Sequence, residues 1–408
     1  MKIKRVRALE ILDSRGNPTL QAQVTLTDGT EATAQVPSGA STGRHEAVEL
    51  RDRTSARYSG KGVLQAVRNV DETLGPAIAG MDVDAQQAID QRLIDTDSTP
   101  DKHRLGANAT LAVSCAVARA AALSHNVPLW KYLAGHRTPS IPAPMVNILS
   151  GGLHAGRNLE FQDFLVIPRG YPNLSTALEA IVKVHRTTEA ILQNQGQILT
   201  GVADEGGWGP RLESNEQAVA ILRQAIQTAA TDMDIALDVA STHFHENGKY
   251  IIKGQPYSAQ ALTELLATWI PRYGITSIED ALAEDDWDGW RLLTERLGPH
   301  IQLIGDDLFA TNLSRLDRGI REKIANAVLV KMNQIGTLTE TFAVIDRARE
   351  AGYRAVISAR SGETEDSFLA DLAVASGAGQ IKIGSVTRSE RLAKYNRLLE
   401  IEAWEFPQ

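Results

Sequence analysis

Five β-like runs in the second half of the chain each carry a charged residue at or near their end, and the stretches between them read as helices. The run 235–239 carries Asp238, 275–280 carries Glu279, 301–307 carries Asp306, 328–336 carries Lys331 and 380–384 carries Lys382. Alternation of strand and helix selects an α/β architecture. The intervals between successive charges accommodate βα units of at least ~25–30 residues each. An open doubly wound sheet satisfies the same periodicity. Charges on so many successive strand ends favour a closed barrel of parallel strands, whose C-terminal rim gathers them on one face.

Those charges define a chemistry. Asp238, Glu279 and Asp306 offer only oxygen, which suits a hard divalent cation such as magnesium, and no histidine or cysteine accompanies them to favour zinc. Each carboxylate alone also reads as the cap of the helix that follows it. Three in register with two lysines read as a site. Lys331 and Lys382, placed near each other, are expected to lower one another's pKa by like-charge repulsion. One could then remove a proton beside a carboxylate, an acid so weak that the resulting dianion needs metal ions on its oxygens. Two structural salt bridges to the same carboxylates are the simpler alternative.

Further candidates lie on loops. Glu205 sits in the glycine turn Asp204-Glu205-Gly206-Gly207 and reads as a general acid or base, or as a solvated turn acid. His154 is presented by a glycine-flanked loop, 151–156. Arg360 and Ser361, at a strand-to-helix turn, suit a phosphate or carboxylate, although 361–364 also reads as a helix cap. His243 and His245 alternate as a metal pair or as surface histidines, and 284–286 reads as a solvated acidic face.

Residues 1–135 read as an α+β domain: strands near 6–12, 19–26 and 31–36, the last two joined by Asp28-Gly29, then helices near 62–80, 84–96 and 107–124. A proline-bearing linker, 138–144, marks the boundary and opens the second domain, 136–408, the alternating part. The net charge of −8 and the lack of basic tracts argue against a nucleic-acid partner. An anionic substrate would need local cations to draw it in. Cys115 is the single cysteine, so no intrachain disulfide forms, which fits a reducing, cytoplasmic setting. No run approaches the ~18 apolar residues that span a bilayer, so no membrane is expected.

At these residues the chain resembles the enolase family. The likeness is carried by Asp13-Ser14-Arg15-Gly16-Asn17-Pro18-Thr19, Ser38-Gly39-Ala40-Ser41-Thr42-Gly43, Asp204-Glu205-Gly206-Gly207, Gly305-Asp306-Asp307-Leu308, Ser361-Gly362-Glu363-Thr364-Glu365-Asp366 and Arg388-Ser389-Glu390-Arg391, in the family's order. The resemblance implies a small α+β domain followed by an enolase-type α/β (TIM-like) barrel, two magnesium ions, and a homodimer or homo-octamer. It implies that Asp238, Glu279 and Asp306 hold the first ion and that Ser41 joins a second with the substrate phosphate. A lysine base paired with magnesium is the known pattern of the superfamily. On that pattern Lys331 takes the proton from carbon 2 of 2-phosphoglycerate and Lys382 contacts the substrate carboxylate. Glu205 then assists departure of the carbon-3 hydroxyl, Arg360 and Ser361 bind phosphate, and His154 lies close to it. Gln162 and Asp163 occupy the family's Gln-Glu pair, with aspartate in place of glutamate. Ala359 replaces a histidine, Ile383 a threonine, Ala281 a proline and His243 an acid. Asp163 and Ala359 fall where the family handles the leaving hydroxyl, and Glu160 is a possible substitute. Three functions are therefore implied: dehydration of 2-phosphoglycerate to phosphoenolpyruvate; a divergent reaction on a related phospho- or phosphono-carboxylate, such as carboxyphosphonoenolpyruvate synthesis; or ligand binding without catalysis.

Overall fold

A computed structural model describes residues 1–39 and 43–406. The chain opens with an antiparallel meander of β1 (Ile3–Leu12), β2 (Pro18–Leu26) and β3 (Glu31–Gln35). Along β2, Leu20, Ala22, Val24 and Leu26 are buried while the residues between them are half-exposed, the period-two signature of a one-sided sheet. The buried face receives the helix Ala107–Ser124, whose small residues allow close approach. Among the described residues this helix alone is long and apolar enough to cross a bilayer, an exception to the expectation from sequence; most of it is buried inside the protein.

The rest of the chain builds a closed barrel. Its strands are β4 (Ala143–Ser150), β5 (Asp163–Pro168) and β6 (Met233–Asp238), then, after a small antiparallel sheet of β7 (His245–Glu246), β8 (Lys249–Ile252) and β9 (Gln255–Tyr257), β10 (Ile275–Glu279), β11 (Gln302–Gly305), β12 (Ala327–Val330), β13 (Arg354–Ser358) and β14 (Gln380–Gly384). Met145, Leu165, Ala236, Ile304, Ala327, Leu329 and Val356 fill the interior. β14 pairs with β4 to close the ring.

One strand corrects the expectation of an all-parallel ring. β5 runs antiparallel to both β4 and β6. The link between β4 and β5 contains only the short turn Gly152–Ala155, too little for a crossover back to the strand's other end. The chain therefore returns directly. Two helices outside the ring, Leu174–Asn194 and Asn215–Thr228, then restore the direction before β6. As a result Asp163, the first residue of β5, lies level with Ser150 and Asp238, the last residues of β4 and β6.

The rim acids are not helix caps. Ser214, Ser258, Asp286, Asn312 and Thr337 accept the free N–H groups at the helix starts around the ring. Asp286 also accepts from the Tyr250 hydroxyl at 2.6 Å, and Glu284 from the Arg44 N–H at 3.2 Å, so the 284–286 segment is not simply a solvated face.

Candidate active site

Strand ends β6, β10, β11, β12 and β14 bring the five predicted charges to one face. Lys382 Nζ lies 2.8 Å from Asp238 Oδ2 and 2.7 Å from Glu279 Oε2, all three side chains buried. Lys331 Nζ contacts Asp306 Oδ2. Gln162 Nε2 donates to Asp238 Oδ2 at 3.1 Å, and Gln334 Nε2 to Asp306 Oδ1 at 3.0 Å. The expectation of lowered lysine pKa values is overturned. Burial does push both down, but Asp306 outweighs it at Lys331, and Asp238 with Glu279 outweighs it at Lys382, which ends well above its ordinary value. Attraction at contact distance exceeds repulsion between the two ammonium groups. Burial, then Asp238, raises the Glu279 carboxyl, whereas Lys331 overrides burial to lower that of Asp306.

Asp280, beside Glu279 and in the left-handed region at φ 41°, turns its carboxylate back to accept the N–H groups of Asp306 and Asp307 at 2.9 and 2.8 Å. It thereby ties the ends of β10 and β11 together. Asp280, Asp306 and Asp307 each bring an oxygen within 4.8 Å of the others. Burial, then the charge of Asp306, lifts Asp307 to about 8.

A second cluster forms where the reversed strand enters the rim. His154 Nδ1 faces Asp163 Oδ2 at 3.0 Å, and its Nε2 faces Glu205 Oε1 at 3.7 Å. Asp163 Oδ1 accepts from Asn147 Nδ2 at 2.6 Å and from Ser150 Oγ at 3.2 Å. Burial lifts Asp163 to about 6 despite His154.

The third part is Arg360, after β13. Its guanidinium meets Glu46 of the N-terminal domain at 3.0 and 3.2 Å and Asn333 Oδ1 at 2.9 Å. Ser361 is buried, and its carbonyl accepts from Arg391 at 2.7 Å. The helix after this turn starts only at Phe368, so Ser361 does not cap it. Backbone bonds between Ser38 and Gly362, 2.7 and 3.0 Å, fasten the N-terminal domain to the same turn.

The family model for the enolase C-terminal TIM barrel domain matches residues 138–405, and that for the enolase N-terminal domain matches residues 3–133. The chain belongs to the enolase family. Its barrel, with the reversed strand, is therefore an enolase barrel, and the three groups above lie on its rim.

Three buried carboxylates with oxygen-only donors fit the hard divalent ion an enolase uses. Gln162 Oε1, buried beside Asp238, has no hydrogen-bond partner among the described residues and offers a neutral oxygen. Ser41 lies outside the described residues. Glu160 does not substitute for the shortened Asp163: it accepts from Asn215 Nδ2 and the Lys253 N–H at 2.9 and 2.8 Å, tying the loop to the β8–β9 turn. His245 packs against the Tyr250 ring, tilted by 36° with centroids 4.6 Å apart, while His243 lines a separate cavity of about 160 Å³ with Arg157 and Glu160. Sequence reasoning assigned no role to Glu46, Asn147, Ser150, Asn333, Gln334 or Asp280. Asn147 and Ser150 are the polar residues of an otherwise apolar strand, while Glu46, Asp280, Asn333 and Gln334 lie in short motifs that share in the family likeness.

Proposed function

We propose that this enolase-family chain is a magnesium-dependent lyase that dehydrates 2-phosphoglycerate to phosphoenolpyruvate by removing the carbon-2 proton. The observation that carries this reading is the pairing of two ammonium groups, Lys382 buried and Lys331 partly buried, with three buried carboxylates on one rim. Asp238, Glu279 and Asp306 would hold one magnesium ion and Ser41 would join a second. Bound there, magnesium supplies positive charge to the substrate carboxylate and lowers the acidity barrier at carbon 2.

Lys331 takes the carbon-2 proton in this proposal. It must first give up Asp306, whose negative charge holds its own proton in place. Lys382 donates to the substrate carboxylate, aided by Gln162. Arg360 and Ser361 receive the phosphate; Arg360 is a fully formed cation with a planar fork suited to that anion. Glu205 and His154 face the leaving hydroxyl. We further propose a small anionic phosphorylated carboxylate as the only partner class, without nucleic acid or membrane, in a cytoplasmic homodimer or homo-octamer.

A second reading has its own observation: Asp163 is drawn back by Asn147 and Ser150, and Ala359 brings no side-chain donor. A related phospho- or phosphono-carboxylate with a different leaving group would suit that end. Solvent exchange of the carbon-2 proton of 2-phosphoglycerate, followed by NMR with magnesium present, tests the first reading alongside ultraviolet detection of the enol product. Wild type is expected to show both and Lys331→Ala neither. A folded, magnesium-binding wild type that shows exchange without product favours the second reading. One that binds substrate without exchange sinks catalysis by Lys331.

A further inference from the structure

The link from β11 to its outer helix, Leu313–Glu322, has a backbone feature that the proposed dehydration leaves unexplained. The Phe309 and Ala310 N–H groups donate to the Asp306 carbonyl at 3.1 and 2.6 Å, winding a tight turn directly behind that carboxylate. The chain leaves the turn through Ala310 and Thr311, both in the left-handed region at φ 47° and 51°. Among the described residues Thr311 is the only β-branched one with such a φ. A branched Cβ makes that conformation costly, and a cost of this kind persists where surrounding contacts over-determine it. Thr311 is wholly buried, and its hydroxyl supplies those contacts.

β12 ends at Val330, so the Lys331 N–H lies past the end of the strand. Thr311 Oγ1 accepts it at 2.9 Å and donates to Gln334 Oε1 at 2.6 Å. Gln334 Nε2 donates to Asp306 Oδ1 at 3.0 Å and, more weakly, to Glu46 Oε1 at 3.4 Å. The Lys331 ammonium on Asp306 Oδ2 closes a ring of four residues. The polarity of the ring allows one arrangement. Ion-paired with Lys331 and Arg360, the Asp306 and Glu46 carboxylates only accept, so the Gln334 amide turns its nitrogen to them and its oxygen to Thr311. The Thr311 hydrogen then goes to that oxygen, and a lone pair is left for the Lys331 N–H. Replacing the hydroxyl by a methyl group leaves both partners unpaired in a buried place.

Proton removal requires only one edge of this ring to open. Lys331 Nζ leaves Asp306 to reach carbon 2. Its Cα stays where Thr311 holds the N–H, and Asp306 stays where Gln334 holds Oδ1. We propose that Thr311 and Gln334 are positioning residues for the proton transfer, fixing the backbone end of Lys331 and the carboxylate it leaves so that the amino end alone moves. The assignment rests on Lys331 being the base in the reading above. Thr311 bonds no group assigned to the substrate phosphate or carboxylate, so its loss falls on the rate and spares binding.

Carbon-2 exchange and dehydration, followed as above at saturating magnesium, test the assignment. Thr311→Val keeps the shape and removes the hydroxyl. Both rates per folded molecule are expected to fall together by ~10- to 100-fold, with KM for 2-phosphoglycerate within about threefold of wild type. Thr311→Ser keeps the hydroxyl and should stay within about threefold of the wild-type rates. Gln334→Leu breaks the same ring elsewhere. The double variant should be at most about threefold slower than the slower single one, because a ring already broken has little more to lose. If Thr311→Val does not fold, Thr311→Ala, which sheds the branch with the hydroxyl and so relieves the backbone, decides by the same rates. Wild-type rates in the folded variant lacking the hydroxyl, a Thr311→Ser as slow as that variant, or losses that multiply in the double variant overturn the assignment. If the wild type exchanges nothing, the dehydration reading has failed, and calorimetric titration with magnesium alone still decides on the ring. Binding weakened more than ~threefold without the hydroxyl, and kept in Thr311→Ser, upholds the ring as the device that sets Asp306. Any other pattern of magnesium binding overturns it.

Discussion

Replacing Lys382 with alanine strips one shared cation from two buried carboxylates. Asp238 and Glu279 lie 2.8 and 2.7 Å from its ammonium, and their side chains are 3% and 2% exposed. Removing one partner of a buried ion pair costs ~3–5 kcal/mol, because the remaining charge is left without water or counter-ion. At roughly 2 °C per kcal/mol for a protein of this size or somewhat smaller, the melting temperature in EDTA should fall by about 6–10 °C. The loss has a defined pH dependence. Burial and Asp238 already push the Glu279 carboxyl well above its ordinary range while Lys382 pulls it back, so removing Lys382 raises it further. A carboxyl raised by folding binds more protons folded than unfolded, so stability falls as pH rises through the raised range; the deficit should be largest near about pH 8 and shrink toward about pH 5. Magnesium at ~100 times its dissociation constant adds about 2.7 kcal/mol to any state that binds it alone. Its stabilising effect should be larger in the variant, where it no longer competes with an ammonium group. Thermal denaturation with EDTA and with magnesium, at both pH values, measures all three. A variant that melts within about 2 °C of wild type in EDTA, with the same magnesium increment, would refute the charge balance described here.

Gly336→Ala should destabilise the fold by roughly 1–3 kcal/mol, read by urea denaturation, because its φ is +98° and an added methyl would meet Lys102 Cδ at 2.9 Å and Thr110 Oγ1 at 3.0 Å. Glu46→Gln removes the charge that grips Arg360 at 3.0 and 3.2 Å. Stability should drop by about 1–3 kcal/mol, and inorganic phosphate should raise the melting temperature more than in wild type, since a competing anion has gone.

The site was legible wherever a charge interrupts an apolar run. Asp238, Glu279, Asp306, Lys331 and Lys382 each do so, and each is on the rim. Direction was not legible. The apolar run from Asp163 to Pro168 has the same pattern read either way, and only the brevity of the link before it forces the reversal. The lysine pKa direction depends on contact distances that no spacing reveals, and repulsion between neighbours was the weaker effect. The grip of Glu46 on Arg360 joins residues in different domains, and with Glu49 and Asp52 close by in sequence nothing in the segment marks Glu46 as the partner. Glu160 shows the opposite case, an acid near the right place in sequence whose hydrogen bonds turn it elsewhere.

The reversed strand has a consequence for how this site can change. Because β4 ends and β5 begins at the same rim, the segment between them leaves and re-enters the ring at one edge. It is a closed detour, anchored by the Gly151 N–H to the Gln162 carbonyl at 2.8 Å. Every rim loop that follows a parallel strand must instead deliver the chain to an outer helix, so its length is bound to the packing behind it. The 151–162 detour is free of that demand in its connectivity, but Asn215, at the start of an outer helix, holds it through the Phe161 N–H at 3.1 Å and through Glu160 at 2.9 Å, so remodelling for a new substrate has to keep that one anchor.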